Sequence, residues 1–339
     1  MFSLFSSSIT TIDIGSFSAK VVKSIKKGKK QVVDVLEVPN TLGFSVPSSD
    51  GQVERLRDFL KQLIDKHKIA HNNIRLALPE TVVSTQVISI PYLTDGELAS
   101  SISWQAEQYI PVPKNELSLE YKVLYRPDRN ERNGMMRVLL VGTRKVILNN
   151  FINSFTAIGL EPTILETQSL ALVRAAKIQK DDPATLIVHI GANNMILIIV
   201  NKGEIRLVVN QPSGGEMITK TLITNFGLTR ENAENYKIKY GMLKENFEGK
   251  MFNAIVPMVN ITINQIKNTL TFFSSQNKDV SIGRLMLSGG GGHLLGFQEF
   301  LVEALGLEII AINTFDGVEN NIVNNNPMAF AVNMGLLLR

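Results

Sequence analysis

Apolar positions along the chain switch between the alternation typical of strands and the wider spacing typical of helices. The first 40 residues hold runs rich in β-branched side chains, broken by Gly15 and Gly28, at 9–14, 20–25 and 31–38. Such runs predict a three-stranded meander. Residues 52–67 then carry an apolar side chain at nearly every third or fourth position, which predicts an amphipathic helix.

The same layout of strands and turns returns halfway along the chain. Gly191 follows the first of three further predicted strands, which lie at 185–190, 195–200 and 204–210. Helical spacing follows at 214–225, 230–240 and 255–275. Two halves with one layout predict an internally duplicated α/β fold. The alternative is a chance likeness between two β-meanders.

Residues 79–143 interrupt the first half with a pattern of their own. A predicted strand over 81–90 is followed by a helix that Thr94 can cap. Two further strands, 120–124 and 137–142, are predicted to pair around a polar turn. This segment is long enough to form a small separate lobe.

Composition narrows the class of protein. With 339 residues, 44% of them apolar, the chain can bury two cores of ordinary size. No run of about 18 uncharged apolar residues occurs, and the apolar start, Met1 to Ser8, lacks the basic region of a signal peptide. The absence of cysteine excludes disulfides, thiolate zinc sites and cysteine nucleophiles and fits a reducing compartment. Four scattered histidines predict no metal cluster.

The charge of the chain is mildly basic, +4 with an isoelectric point near 9.1. The densest basic run, Lys26 to Lys30, lies between two predicted strands and is interpreted as a solvated hairpin turn. Contact with an anionic membrane surface or an acidic partner is the alternative. No basic stripe with interleaved aromatic residues occurs, so nucleic-acid binding is not predicted.

Three turns have the chemistry to hold a nucleotide. Gly15 and Ser16 follow the first strand, where a bare backbone can aim N–H groups at a phosphate and Asp13 can hold the waters of Mg²⁺. Residues 191–192 occupy the matching turn of the second half. The glycine run 289–292 joins a strand to a helix, where a purine or ribose can lie close to the backbone. Each alone also fits an ordinary turn, but the duplicated arrangement favours a nucleotide site.

Two phosphate turns followed by an adenosine turn are similar to the pattern of the actin, hexokinase and DnaK-type ATPases. Within that superfamily the chain resembles the PilM family of type IV pilus assembly proteins, relatives of the division protein FtsA. Residues 13–22 resemble the opening of that family, and Trp104–Pro111 resembles its most distinctive stretch. Trp104 and Tyr109 themselves are interpreted as packing residues. Further similarity lies at Gly214, Gly215, Thr219, Ala233, Glu234, Lys237, Asn326, Pro327 and residues 335–339.

The resemblance implies a duplicated ribonuclease H-like, actin-like α/β fold with a small inserted α+β lobe. The first lobe would comprise residues 1–78, 144–180 and 327–339, the inserted lobe residues 79–143, and the second lobe residues 181–326. ATP and Mg²⁺ would lie between the lobes, with Asp13 toward the metal. The residues expected on this basis to bind the cofactor are Asp13, Gly15, Ser16, Phe17, Lys20, Gly191, Ala192, Gly214, Gly215, Glu234, Lys237, Lys267, Gly289, Gly290 and Gly291.

The resemblance also implies a function and a place in the cell. Members of the family are cytoplasmic scaffolds, peripheral to the inner membrane, that bind the cytoplasmic tail of a PilN-like protein. We therefore expect this chain to reach the membrane only through that bitopic partner. Self-association is left open.

Three positions differ from the family pattern. Most members have Asp where this chain has His189, and relatives often have Glu at the positions of Gln168 and Gln265. Neutral imidazole is a poor substitute for a carboxylate around Mg²⁺, and glutamine can position a water but is no general base. We therefore expect nucleotide binding to be retained and hydrolysis to be weak or absent.

Two other functions are compatible with the superfamily. A small-molecule kinase would need a carboxylate base beside the acceptor hydroxyl, and the sequence offers no convincing candidate. An FtsA-like division filament would be expected to end in an amphipathic membrane helix, whereas this chain ends at Arg339 directly after the last predicted core helix.

Overall fold

The computed structural model of the chain describes residues 8–27, 30–128, 134–316, 318–320 and 326–339. The strands are β1 (Ile9–Ile14), β2 (Ser18–Lys27), β3 (Lys30–Pro39), β4 (Ile74–Leu78), β5 (Ser84–Pro91), β6 (Leu117–Tyr125), β7 (Met135–Arg144), β8 (Pro162–Thr167), β9 (Ala184–Ile190), β10 (Met195–Asn201), β11 (Glu204–Gln211), β12 (Ile282–Ser288), β13 (Glu308–Ala311) and β14 (Glu319–Asn320). The helices are α1 (Asp50–His67), α2 (Asp95–Glu107), α3 (Lys145–Thr156), α4 (Gln168–Ala175), α5 (Gly215–Phe226), α6 (Arg230–Tyr240), α7 (Lys250–Gln276), α8 (Phe297–Leu305) and α9 (Ala331–Leu337).

The first sheet has the strand order β14-β3-β2-β1-β4-β8. Its first three strands in sequence are antiparallel neighbours, as the β-branched runs predict, and β4 then joins β1 in parallel. The pairing of β2 with β3 extends to Lys27 and Lys30, so the basic run is a hairpin, although Gly28 and Lys29 lie outside the described residues. Residues 1–7, the greater part of the apolar start, also lie outside them. Helix α1 buries Leu56 and Leu60 against this sheet.

The second sheet, β11-β10-β9-β12-β13, repeats the arrangement of the first. β9 lies between an antiparallel β10 and a parallel β12, as β1 lies between β2 and β4. All seven residues of β9 are buried, because helices cover both faces of this central strand. The predicted duplication of the α/β fold is thereby confirmed.

A third sheet, β5-β7-β6, has a core of its own under helix α2. Thr94 caps α2 in a capping box with Glu97. The buried face of α2 consists of Leu98, Ile102 and Ala106. The interpretation of Trp104 as a packing residue is wrong: it falls on the opposite face and is 67% exposed. The division into three lobes at residues 79, 144, 181 and 327 stays a prediction.

Helices α4 and α9 pack against each other between the two larger sheets. A Cβ added at Gly335 of α9 would lie 1.9 Å from the carbonyl oxygen of Ala171 in α4, so only glycine permits this approach. The guanidinium of Arg174 donates to the Gly335 carbonyl at 2.7 Å. The two larger sheets are thereby joined through one tightly packed helix pair.

Several element boundaries differ from the sequence prediction. The strand predicted at 81–90 begins only at Ser84, because Glu80–Val82 form a 3₁₀ turn. A further 3₁₀ turn, Pro327–Phe330, directly precedes α9. Within the described part of the chain, no helix is long and apolar enough to cross a bilayer.

Candidate functional site

The turn after β9 and the start of α5 are in direct contact. The Gly215 N–H donates to the Gly191 carbonyl at 3.0 Å, and the Glu216 N–H donates to the Ala192 carbonyl at 2.9 Å. A Cβ at Gly214 would lie 2.4 Å from the Ala192 oxygen. The turn after β9 and the start of α5, which are both predicted to bind phosphate, therefore form one surface. Gly214 approaches Ala192 so closely there that a side chain at position 214 would not fit.

The third glycine segment lies against the same place. Gly289 has a φ of +86°, and a Cβ there would lie 2.3 Å from the Ile190 carbonyl oxygen. The Cα of Gly291 is 3.9 Å from the point where a Cβ on Gly215 would be. A Cβ added at Gly290, by contrast, would meet nothing within 4 Å. The predicted glycine turns of the second half are thus brought together at the first turn of α5.

Helix α6 carries two more predicted residues to this surface. The Lys237 ammonium donates to Thr219 Oγ1 at 2.8 Å and to the Gly215 carbonyl at 3.3 Å, and it pairs with Glu234 at 2.8 Å. The Thr219 hydroxyl in turn donates to Glu234. These contacts hold α6 against the start of α5, and they leave the Glu234–Lys237 pair beside the glycine turns.

In the first half, the β1–β2 hairpin presents Asp13 and the turn that follows it. Asp13 lies opposite Lys20 in the hairpin and is only 4% exposed. The Gly15 N–H donates to the Ser18 carbonyl at 3.0 Å, which closes a tight turn at Ser16 and Phe17. The Phe17 side chain is exposed.

The side chain of Gln168, at the first position of α4, forms a hydrogen bond with Asp13. Its Nε2 donates to Asp13 Oδ1 at 2.8 Å. Burial raises the pKa of the Asp13 carboxyl, while the Lys20 charge and the Gln168 hydrogen bond act in the opposite direction. Sequence reasoning assigned Gln168 only a possible contact with water, whereas in this structure its amide compensates a buried carboxylate.

His189 occupies in β9 the place that Asp13 has in β1, two residues before the turn glycine. Its Nδ1 lies 2.9 Å from Ser288 Oγ, and the side chain is buried. Burial, with a further contribution from the Lys20 charge, lowers the pKa of His189 to about 3. The Lys20 charge thus acts on both Asp13 and His189.

Some predicted residues are not part of this cluster, and one buried acid was not predicted. Lys267 is exposed on α7, and within the described residues its side chain makes no hydrogen bond to the cluster. Gln265 Oε1 on the same helix is buried without a hydrogen-bond partner in the described part of the chain.

Sequence reasoning missed Glu80, which is 2% exposed and lies beside Gln168. A single Glu after a proline carries no sequence signal for such burial.

The residues present fit a nucleotide better than they fit a bare metal ion. Glycine backbone in the turn after β12 can lie against a nucleotide, because a Cβ at Gly290 would meet nothing within 4 Å, whereas the first N–H groups of α5 are already donated to the Gly191 and Ala192 carbonyls. Among the described residues, no group of three or more histidine and acidic side chains could hold a metal. Asp13 alone suits Mg²⁺ only where phosphate oxygens and waters supply the remaining ligands.

Comparison with known proteins identifies the family to which the chain belongs. The family model described as type IV pilus assembly protein PilM matches residues 11–339. A solved PilM–PilN type IV pilus biogenesis complex contains a chain similar to this one at 22% identity and a TM-score of 0.81, with 97% of each chain covered.

Two other solved structures share the fold at greater distance. The ethanolamine utilization protein EutJ from Carboxydothermus hydrogenoformans is 15% identical, with a TM-score of 0.57 over 99% of this chain and 91% of that one. MreB5 of Spiroplasma citri, solved bound to ADP, is 14% identical, with a TM-score of 0.52 over 98% and 95%. At these identities the likeness establishes an actin-like fold.

The low pKa of His189 predicts a specific dependence of stability on pH. The pKa of His189 is the usual 6.5 in the unfolded chain and about 3 in the folded chain. At pH values between these two, the unfolded chain therefore binds a proton at His189 that the folded chain does not. The free energy of unfolding therefore falls as the pH falls, by about 2 kcal/mol from this group between pH 7 and pH 5. Urea unfolding at the two pH values should show this loss, and His189→Asn should remove it.

The comparison with the variant isolates the histidine from other groups. Burial also raises the pKa of Asp13 and Glu80, which gives the opposite slope, but both groups are present in both proteins. An equal loss of stability on acidification in both proteins would contradict the assignment of a buried neutral imidazole.

Proposed function

The chain belongs to the PilM family of type IV pilus assembly proteins, and on that premise we propose that it is a nucleotide-binding scaffold of the pilus assembly platform. Its partner is the cytoplasmic tail of a PilN-like inner-membrane protein. The observation that carries this proposal is the likeness, over 97% of both chains, to a chain of a solved PilM–PilN complex. A family match over residues 11–339 gives no support to a sugar-type kinase or a division filament.

The nucleotide is ATP with Mg²⁺, bound where the hairpin turns meet. Gly15 and Ser16 offer backbone to the phosphates from one side, and Gly191 and Gly214 from the other. Asp13 faces the metal. The nucleoside lies near the Glu234–Lys237 pair and the glycine run 289–291. An actin-like neighbour solved with ADP supports this choice of ligand.

Nucleotide acts in this protein as a conformational ligand. His189 is held neutral beside Ser288, and the Gln168 amide is occupied by Asp13, so neither supplies a carboxylate to an attacking water. Binding alone can shift the population of lobe arrangements, provided that the nucleotide has different affinities for them. Slow or absent turnover is therefore compatible with a scaffold.

The partner tail lies against the third sheet and its helix α2. This part of the molecule exposes several large aromatic side chains that its own core leaves uncovered, namely Trp104, Tyr109, Tyr121 and Tyr125. The Lys114 ammonium stands 4.4 Å from the centre of the Trp104 ring. Aromatic side chains with a nearby cation are typical anchors of peptide interfaces. The chain is thereby peripheral to the inner membrane through its partner.

Saturating ATP with Mg²⁺ should raise the melting temperature. A ligand that binds only the folded state at 100 times its Kd stabilises by about 2.7 kcal/mol, which corresponds to a shift of several degrees. Asp13→Ala should lose most of the shift, whereas Asp65→Ala, an exposed position on α1, should keep it. Differential scanning fluorimetry measures both. No shift in the unmodified protein, or equal shifts in the two variants, would overturn the site.

Phosphate release should be very slow, and restoring acidic residues should accelerate it. A single misplaced electrostatic group commonly costs about a hundredfold or more. We expect His189→Asp to raise the rate, and His189→Asp with Gln168→Glu to raise it by more than the product of the single effects. Release is measured with a phosphate-binding reporter. An unmodified protein that already turns over as fast as its acidic relatives would show that His189 itself positions the water.

The isolated tail of the PilN-like protein from the same cell should capture the chain. Trp104→Ala should weaken this binding by about thirtyfold or more, since truncation of a central aromatic anchor commonly costs at least 2 kcal/mol. Phe226→Ala, an exposed aromatic at the end of α5, is the control and should bind normally. Strong binding of the protein to neutral liposomes without any partner would argue against recruitment through the tail.

A further inference from the structure

Glu80 is a buried carboxylate that the proposed nucleotide contacts do not use. It lies in the 3₁₀ turn through which the chain passes from β4 of the first sheet to β5 of the third. Its Oε1 accepts a hydrogen bond from the hydroxyl of Thr85, the second residue of β5. Its Oε2 accepts from the Ser169 N–H in the first turn of α4, at 3.2 Å. One carboxylate thus ties the third sheet to α4.

The side chain of Gln168 connects Asp13 to the turn that contains Glu80. Its Nε2 donates to Asp13 Oδ1 at 2.8 Å, and its Oε1 accepts from the Glu80 N–H at 3.2 Å. An ionised carboxylate only accepts and a backbone N–H only donates, so both bonds require the same orientation of the amide. A glutamate at position 168 could accept from Glu80 but could not donate to an ionised Asp13. The departure from the family pattern therefore creates a connection that an acidic side chain would break.

The resulting path runs through the interior of the molecule. Asp13, Gln168, Glu80 and Thr85 are 4%, 6%, 2% and 5% exposed. A buried polar group that loses its partner cannot turn to water instead, so each bond in the path is costly to leave unmade. A ligand that moves Asp13 must therefore move Gln168, and with it the turn at Glu80.

We propose that Gln168 and Glu80 transmit nucleotide occupancy at Asp13 to β5 of the third sheet, the part of the protein that receives the partner tail. This inference rests on the proposed nucleotide site. Gln168 and Glu80 act as positioning residues in it, because they work through Asp13 and Thr85.

Hydrogen exchange read by mass spectrometry tests the connection in the full-length protein. The probe is a non-hydrolysable ATP analogue with Mg²⁺. In the unmodified protein, the analogue should slow exchange both in the Gly15 turn and over residues 80–91. Thr85→Val removes the hydroxyl without changing the size of the side chain, and it should keep protection at the turn. Over 80–91 the variant should lose protection by roughly threefold to tenfold, the range of one hydrogen bond.

Two further variants separate the connection from a general loss of structure. Thr85→Ser keeps the hydroxyl and should restore the protection over 80–91. Glu80→Met keeps the length of the side chain but removes both acceptor oxygens, so it should behave like Thr85→Val, with an unchanged far-ultraviolet circular dichroism spectrum. Equal protection over 80–91 in Thr85→Val and the unmodified protein would overturn the inference. Protection at the turn alone in the unmodified protein would overturn it too, but would leave the nucleotide site standing. Protection in neither region would overturn both.

Discussion

The hydrogen bond from Gln168 to Asp13 is the interaction on which the rest of the candidate site depends. A carboxylate that is 4% exposed must be compensated by its neighbours, because burial without a partner is costly. Lys20 on the adjacent strand supplies charge and Gln168 supplies a donor. Gln168 can do so only because Thr167 caps α4 and Glu80 holds its first turn. The hairpin, α4 and the connection to the third sheet therefore meet at one acidic group.

The duplicated fold places a different group at the equivalent position of the second half. His189 precedes Gly191 as Asp13 precedes Gly15, but the imidazole is buried, neutral and paired with Ser288. Lys20 acts on both positions, and a neutral ring beside it avoids a second buried positive charge. A cleft with one carboxylate can still orient phosphates through backbone N–H groups. Under the proposed function, such a site is expected to activate water poorly, and this is our physical argument for a scaffold rather than an efficient ATPase.

Sequence alone predicted the parts of this structure that local pattern determines. The β-branched runs and their glycine breaks predicted both meanders, and the matching layout of the two halves predicted the duplication. The family was recognised from this layout together with the resemblance of Trp104–Pro111 to the family's most distinctive stretch. It could not predict the contact of Gln168 with Asp13, 155 residues away, or with Glu80, 88 residues away, because no local pattern encodes such contacts. It also led to the interpretation of Trp104 as a packing residue, since an aromatic side chain alone does not indicate which face of a helix lies inward.

The central claim is that nucleotide and partner tail bind one protein with coupled affinities. Isothermal titration calorimetry of the PilN-like tail peptide, with and without the ATP analogue and Mg²⁺, tests it most directly. The account predicts that the nucleotide changes the Kd of the tail by roughly fivefold or more, and that the tail changes the Kd of the nucleotide by the same factor. Identical affinities for the tail in the presence and absence of bound nucleotide would contradict it.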